Sequence, residues 1–468
     1  MREVEHARTA PGPAADSGTG EGDLDRLDAE AVRFTSELIR LDTTNRGGGD
    51  GWERPAAEYA AARLAEAGLR PQVLESAPGR ANVVARVPGA APSAPALLVH
   101  GHLDVVPADP ARWSRPPFGG DVDGGLVWGR GAVDMKGTDA MVLALVRHWA
   151  RTGRRPRRDI VLAFTADEED SAACGAEWLA REHPGLFEGC TEAVGESGGH
   201  TVHATAADGG PVRLYPVGAG ERGTAWLRLR AEGTAGHGSK TNRDNAVSAL
   251  AAAAARIGAH EWPVRLTPVT RTALDGVAAA VGAGASTADP GFDPARDTDA
   301  LIDSLGDAAE LVRPTVRCSS APTVLEAGYK VNVVPDRAEA GIDGRVLPGT
   351  EEEFAATLDA LTGDRVQWEY RHRSRPLQSP VDAPLFDAMR DALREFDPGA
   401  HAVPVCLTGG TDAKQFAELG IRGYGFAPLY LPPGLDHGAL FHGVDERVPV
   451  DGLHFGVRVL DRFLRGAG

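Results

Sequence analysis

Cysteine is scarce. Cys174, Cys190, Cys318 and Cys406 are the only four in 468 residues, and no two stand in a Cys-x-x-Cys spacing. Neither a disulfide framework nor a thiolate zinc site is indicated, and the four are expected reduced, mostly as small core residues. No window of eighteen consecutive apolar residues occurs, and no basic stretch followed by an apolar run opens the chain. Both absences make a cytoplasmic protein with no membrane partner the expectation. Positive charge is also in deficit, with 49 Lys and Arg against 66 Asp and Glu and a net charge of -17. Such a chain has no long-range attraction toward phosphate, which argues against nucleic acid and anionic membranes as partners. No internal repeat is evident, and glycine and proline (58 and 33 residues) stay below the share that marks low complexity.

What is present is enough for more than one core. A chain of this length is expected to split into two domains. Met1 to Gly22, rich in Pro, Gly, Ala and acidic groups without periodicity, reads as a disordered tail. Leu24, Leu27, Ala31, Phe34, Leu38 and Leu41 recur at helical spacing, and a second helix is expected from about Pro55 to Ala67, with Gly68 just past its end. Strands at Asn82 to Val87, Ala96 to His100, Asp159 to Thr165 and Glu192 to Gly195 alternate with helices at Gly137 to Arg151 and Cys174 to His183. That order argues for a largely parallel sheet covered on both faces.

The pattern changes near Pro211. Ala225 to Arg230 and Asn245 to Ile257 read as strand and helix. Pro322 to Gly328, Ala338 to Arg345, Glu351 to Leu361 and Val366 to Arg371 then read as strand, strand, helix and strand. The order is β-α-β-β-α-β, the split ferredoxin-like arrangement. Only short helices can be placed between Trp262 and Cys318. Beyond Pro376, a helix at Ala383 to Phe396 and apolar runs near Gly423 to Phe426 return to the first pattern, so the smaller domain is an insertion.

The chemistry gathers where strands should hand over to loops. In Ala96 to Pro107, an apolar run ends in His-Gly-His-Leu-Asp, and residues two apart on a strand project together, which pairs His102 with Asp104. Asp134 lies in Gly-Arg-Gly-Ala-Val-Asp-Met-Lys-Gly, Glu168 and Glu169 in Phe-Thr-Ala-Asp-Glu-Glu-Asp, Glu196 in Val-Gly-Glu-Ser-Gly-Gly, and His442 in Phe-His-Gly-Val-Asp-Glu-Arg-Val. Singly, each has an ordinary explanation as turn former, solvated loop, helix cap or surface histidine. Together they suit a pair of hydrolytic divalent metals, zinc before cobalt or manganese, with one carboxylate spare for proton transfer.

On these motifs, from about Asp23 to its C-terminus, the chain resembles the M20 family of dinuclear metallopeptidases and amidohydrolases. That family includes aminoacylase-1, succinyl-diaminopimelate desuccinylase, acetylornithine deacetylase and carboxypeptidase G. The resemblance implies an α/β zinc-peptidase-like catalytic domain (23–212 and 377–468), with a largely parallel central sheet flanked by helices. It also implies an inserted ferredoxin-like α+β lid and dimerisation domain (213–376), behind the tail (1–22). One metal would be held by His102, Asp134 and Glu196, and the other by Asp134, Glu169 and His442. Glu168 takes the general-base position, Asp104 orients His102, and the Asp134–Met135 peptide is expected cis. His237, in Gly-Thr-Ala-Gly-His-Gly-Ser, matches a lid histidine that reaches the partner subunit's active site and stabilises an oxyanion. Asn332, Arg345 and the run Gly409, Gly410, Thr411 resemble positions that hold a substrate carboxylate.

The segment Leu429 to Leu440 is longer than in many relatives and contains His437 as a rival ligand; His442 is preferred because Gly-Val-Asp-Glu-Arg-Val follows it. The expected activity is hydrolysis of an amide bond in a small carboxylate-bearing substrate, an N-acyl amino acid or short peptide, by a homodimer built through the inserted domain. A dipeptidase or carboxypeptidase of the same family and a catalytically silent binding homologue are the competing readings. A phosphoesterase is disfavoured because no phosphate-cradling loop or basic cluster lies near the ligands.

Overall fold

The computed structural model describes residues 21–467. The expected tail lies outside the described residues except for its last two positions, which already belong to the helix Glu21–Ile39.

The centre is a ten-stranded sheet. Ala96–His102 lies between Ile160–Thr165 and Cys190–Gly195 and runs parallel to both, and Arg422–Gly425 continues the parallel set beside Cys190–Gly195. Arg80–Val87 and Gln72–Ala77 add antiparallel strands on one side, and Pro211–Glu221 on the other. Continuous apolar runs suit strands buried on both faces. Alternation sorts their side chains: Leu97, Val99, Ile160, Leu162 and Phe164 join the core under the helices Glu21–Ile39, Lys136–Thr152 and Val450–Gly466. Leu98, Val161 and Ala163 face the opposite way, toward Leu179 and Phe416. Each fully buried side chain of this kind contributes about 1.5 to 3 kcal/mol.

The second sheet has four antiparallel strands in the order Ser319–Ala327, Arg337–Val346, Gly223–Glu232, Val366–Arg373. Ala225, Leu227, Leu229 and Ala231 point into a core with the helices Ala246–Gly258 and Glu351–Thr362, whereas Trp226, Arg228 and Arg230 point outward. This is the β-α-β-β-α-β order expected from sequence.

Two features differ from expectation. Strand Pro211–Glu221 pairs with Ala400–Leu407 inside the large sheet, so a boundary at residue 213 would cut a strand. The helices Pro268–Val281 and Pro294–Asp303 also belong there: Leu274, Val277 and Val281 pack with Leu214, Val403 and Val405. The chain therefore leaves the small sheet after Ala246–Gly258, covers the large sheet, and returns at Ser319. Among the described helices, none is long and apolar enough to cross a membrane.

Candidate active site

His102 is the last residue of its buried strand, and the loops after both parallel neighbours emerge beside it. Its ring is 1% exposed. Nδ1 lies 2.9 Å from the backbone carbonyl of Asp104, which can only accept, so Nδ1 carries a hydrogen and Nε2 is the ring nitrogen turned inward to the carboxylates. Nε2 stands 3.1 Å from Asp134 Oδ1 and 3.5 Å from Glu196 Oε2. Gly101 is required next to it, because a Cβ there would fall 2.1 Å from Asp139 Oδ1.

Asp134 precedes the helix Lys136–Thr152, and its peptide to Met135 is cis. Glu446 shapes this loop from 312 residues away. One of its oxygens accepts from the N–H groups of Val133 (2.7 Å) and Asp134 (3.0 Å), and the other from Gly131 N–H (3.0 Å) and Arg130 Nη1 (2.7 Å). Arg130 reaches on to the carbonyl of Gly443 at 3.0 Å, so one buried ion pair holds the loops of Asp134 and His442 together.

Glu168 and Glu169 follow Asp167, which has a left-handed backbone. Here Asp104 acts differently from expectation. Its Oδ1 accepts from Glu168 N–H and its Oδ2 from Glu169 N–H, both at 3.1 Å, while Oδ1 stays 3.6 Å from His102 Nδ1. The imidazole is oriented mainly by the Asp104 backbone, and the carboxylate fixes the two glutamates. Asn45 bridges Asp104 (2.9 Å) and Asp167 (3.1 Å), and buried Arg80 pairs Asp167 with Glu53. Glu196 ends at a turn whose Gly198 lies against the sheet backbone, 2.5 Å from Gly425 O to any Cβ it could carry.

The side chains meet in two overlapping groups. Ligand atoms of His102, Asp134 and Glu196, and of Asp134, Glu169 and His442, each lie within 4.8 Å of one another. His442 Nε2 is 2.9 Å from Glu169 Oε2 and 3.3 Å from Asp134 Oδ2. Glu168 belongs to neither group, but its carboxylate comes within 4.0 Å of His102 Nε2. The rival His437 joins neither; it is buried against His200, with ring centroids 4.4 Å apart.

Crowded buried carboxylates leave this site short of positive charge. Burial, with the other carboxylates, raises Glu196 to about 8 and lifts Glu168 well above the usual carboxylate range. Burial also raises Glu169, against the opposing bond to His442. Burial opposes ionisation of Asp134 too, but its bonds to both histidines outweigh that and hold it low. The bonds of His442 to Asp134 and Glu169 raise it to about 10. Glu169 Oε1 is buried without a hydrogen-bond partner. Nitrogen and carboxylate donors with unspent negative charge form a receptor for divalent cations.

The description "Peptidase family M20/M25/M40" matches residues 98–466. The chain belongs to this family. It is thus an M20-type metallohydrolase, an enzyme acting on C–N amide bonds. The M20 chain is 28% identical over 408 residues to the N-fatty-acyl-amino acid synthase/hydrolase of Homo sapiens, covering 81% of this chain and 76% of that protein. It is 27% identical over 409 residues to aminoacylase-1 of Sus scrofa, covering 84% and 87%. A metallo-carboxypeptidase of the M20 family from Sulfolobus solfataricus shares the fold with a TM-score of 0.67 at 18% identity, covering 93% of this chain and 98% of that one.

The remaining expected residues of the M20 chain belong to neither ligand group. His237 is exposed, and its Nδ1 accepts from Ser239 Oγ at 2.9 Å. Its two-residue strand pairs with Val333–Val334, which sets exposed Asn332 beside it, and Gly238 N–H donates to the Asn332 carbonyl. Arg345 is held by both carboxylate oxygens of Asp343, at 2.8 and 3.1 Å. Gly410 and Thr411 border two cavities, and Gly409 one of them. Thr411 is tied through its N–H (3.0 Å) and hydroxyl (2.6 Å) to buried Glu221. Glu446, Asn45, Arg80 and Glu53 went unread in sequence. Each acts across long separations, and no local pattern announces such a partner.

Proposed function

We propose that this enzyme hydrolyses the amide bond of an N-acyl amino acid or short peptide, with one divalent ion in each ligand group and Asp134 shared between them. The observation that carries the reading is the pair of groups meeting at Asp134, with Glu168 beside them and in neither. Zinc is our first choice on the donor set, with cobalt and manganese compatible. Bound there, two divalent cations would polarise the amide carbonyl and supply an activated water.

The chain's own residues do the rest. Asp104, itself held by Asn45, fixes the Glu168 backbone, and the Glu168 carboxylate, in neither ligand group but beside them, is placed to take a proton from water and return it to the leaving amine. His237 would donate to the developing oxyanion from a second copy of the chain. Asn332 and Arg345 would receive the substrate carboxylate, Arg345 sharing its guanidinium between that group and Asp343, and the run Gly409 to Thr411, at the border of the two cavities, would contact the substrate between its two halves. A homodimer through the small sheet is supported by its open edge. Ser319–Ala327 pairs on one side only, and Val324 and Leu325 on it are 50% and 63% exposed.

The test is a panel of N-acyl amino acids and dipeptides with metal content measured in parallel. Glu168→Gln should lose about 100-fold or more in turnover while keeping its metal. A variant retaining most of its rate would remove Glu168 from this role.

A further inference from the structure

The cavity next to the Glu196 and His442 loops belongs to neither ligand group. It has a volume of about 300 Å³ and begins at Ser197, the residue after Glu196, and at Phe441, the residue before His442. Its walls are Pro216, Leu311, Val405, Leu407 and Phe441, and no lysine or arginine lines it. The single acid at its rim, Glu310, is exposed and paired with Arg313 at 3.2 Å. His200 also faces it, and burial lowers that imidazole to about 4, so the wall is uncharged at neutral pH.

A second cavity, of about 590 Å³, lies on the Glu168 and Glu169 side and shares Gly410 and Thr411 with the first. It is lined by charged groups of both signs, Arg373, Arg375 and Lys414 together with Glu168, Glu169, Asp170, Glu177, Asp412 and Glu418. An amide held at the ligand groups therefore has an apolar space on one side and a charged, hydrated one on the other.

We infer that the apolar cavity receives the acyl group of the substrate and selects apolar acyl groups of limited length. This rests on the amide-hydrolase reading above and names the half of the substrate that reading leaves open. The carboxylate half is excluded from the apolar cavity, because burying an unpaired anion among Leu311, Val405 and Leu407 costs far more than leaving it hydrated in the charged cavity, where Arg373 and Arg375 stand. The size sets the limit. Allowing about 30 Å³ for each water-sized group, 300 Å³ holds on the order of ten heavy atoms. A medium chain or one ring fits, and a long fatty chain does not. The inference also gives a role to the stretch between residues 262 and 318. Leu311 ends the turn Gly306–Leu311, whose Ala308 and Ala309 pack in the same core as Val405, so the added helices deliver one wall of the cavity.

The test is kcat/KM of the metal-loaded enzyme for one amino acid carrying acetyl, butanoyl, hexanoyl, octanoyl and dodecanoyl groups. The expected series rises about fourfold per methylene, the value of one buried CH2, and turns down by dodecanoyl. In Leu311→Asp the hexanoyl-to-acetyl ratio should collapse to within about threefold, and Leu311→Phe should move the optimum to a shorter chain. Ratios within one variant are independent of how much of it is active. A flat acyl series in the wild type, or an unchanged ratio in both variants, would overturn the inference while leaving the hydrolase intact. Failure to cleave any member would overturn the N-acyl amino acid reading itself.

Discussion

Replacing Asp104 with asparagine separates two ways in which this buried carboxylate could serve the site. Asp104 is 0% exposed and accepts from Glu168 N–H, Glu169 N–H and Asn45 Nδ2 at 3.1, 3.1 and 2.9 Å. An asparagine fits the space, but one of its two positions becomes an NH2 group. Whichever way it turns, a backbone N–H of Glu168 or Glu169 then faces a donor. A buried donor left without an acceptor costs about 1 to 3 kcal/mol, and each 1.4 kcal/mol is tenfold in affinity. The loss should fall on the group containing Glu169, whose ion would bind about 10- to 100-fold more weakly. The group containing His102 should change by less than about threefold, because that ring is held by the Asp104 carbonyl, which the substitution keeps. Calorimetric titration of metal-stripped protein with zinc reads both sites. Equal weakening of the two, or a loss confined to the group containing His102, would show that the carboxylate works through the imidazole and refute the reasoning.

Three further outcomes follow from the same contacts. Glu446→Ala strands Arg130, 3% exposed, and three backbone N–H groups, so urea unfolding should show a loss of about 3 to 5 kcal/mol; less than 1 would mean the loop is held otherwise. Gly101→Ala forces its new methyl against Asp139, so thermal unfolding should report a cost of about 1 to 3 kcal/mol together with reduced metal affinity through displaced His102. For His200, the folded pKa of about 4 lies below the ordinary 6.5, so the unfolded chain binds its proton first as pH falls. Its contribution to stability is therefore complete above pH 6.5 and lost toward pH 4, by on the order of 3 kcal/mol. His200→Leu should flatten the urea midpoint against pH across that window, and an unchanged slope would contradict the assignment.

The parallel centre was legible because Ala96–His102 and Ile160–Thr165 are continuous apolar runs ending in polar groups, which is what burial on both faces followed by a site demands. The ferredoxin-like layer was legible because Leu227 to Glu232 alternates apolar with charged residues. Gln72–Ala77 was not, since an exposed edge strand carries no apolar face to read. Pro268–Val281 has a clear helical stripe, but a stripe does not say which sheet it will cover, and residue 213 was an early boundary for the same reason. At the site, His102, Glu169 and Glu196 could be picked out as polar groups at or just past strand ends, while their assignment with Asp134 and His442 to two metals came from the M20 resemblance. The supports could not: Glu446 is just one acid in a charged run until the fold brings it under the N–H groups of Val133 and Asp134. Asp104 falls between, found by its spacing from His102 and reassigned because its carboxylate turned toward the glutamates.

The central claim is that two ions share Asp134, and metal content per chain tests it most directly. After loading with zinc and removal of excess, mass spectrometry should count about two ions in the wild-type chain, about one in His442→Ala and close to none in Asp134→Ala. A wild-type chain that holds a single ion, or an Asp134→Ala variant that keeps both, would contradict the account.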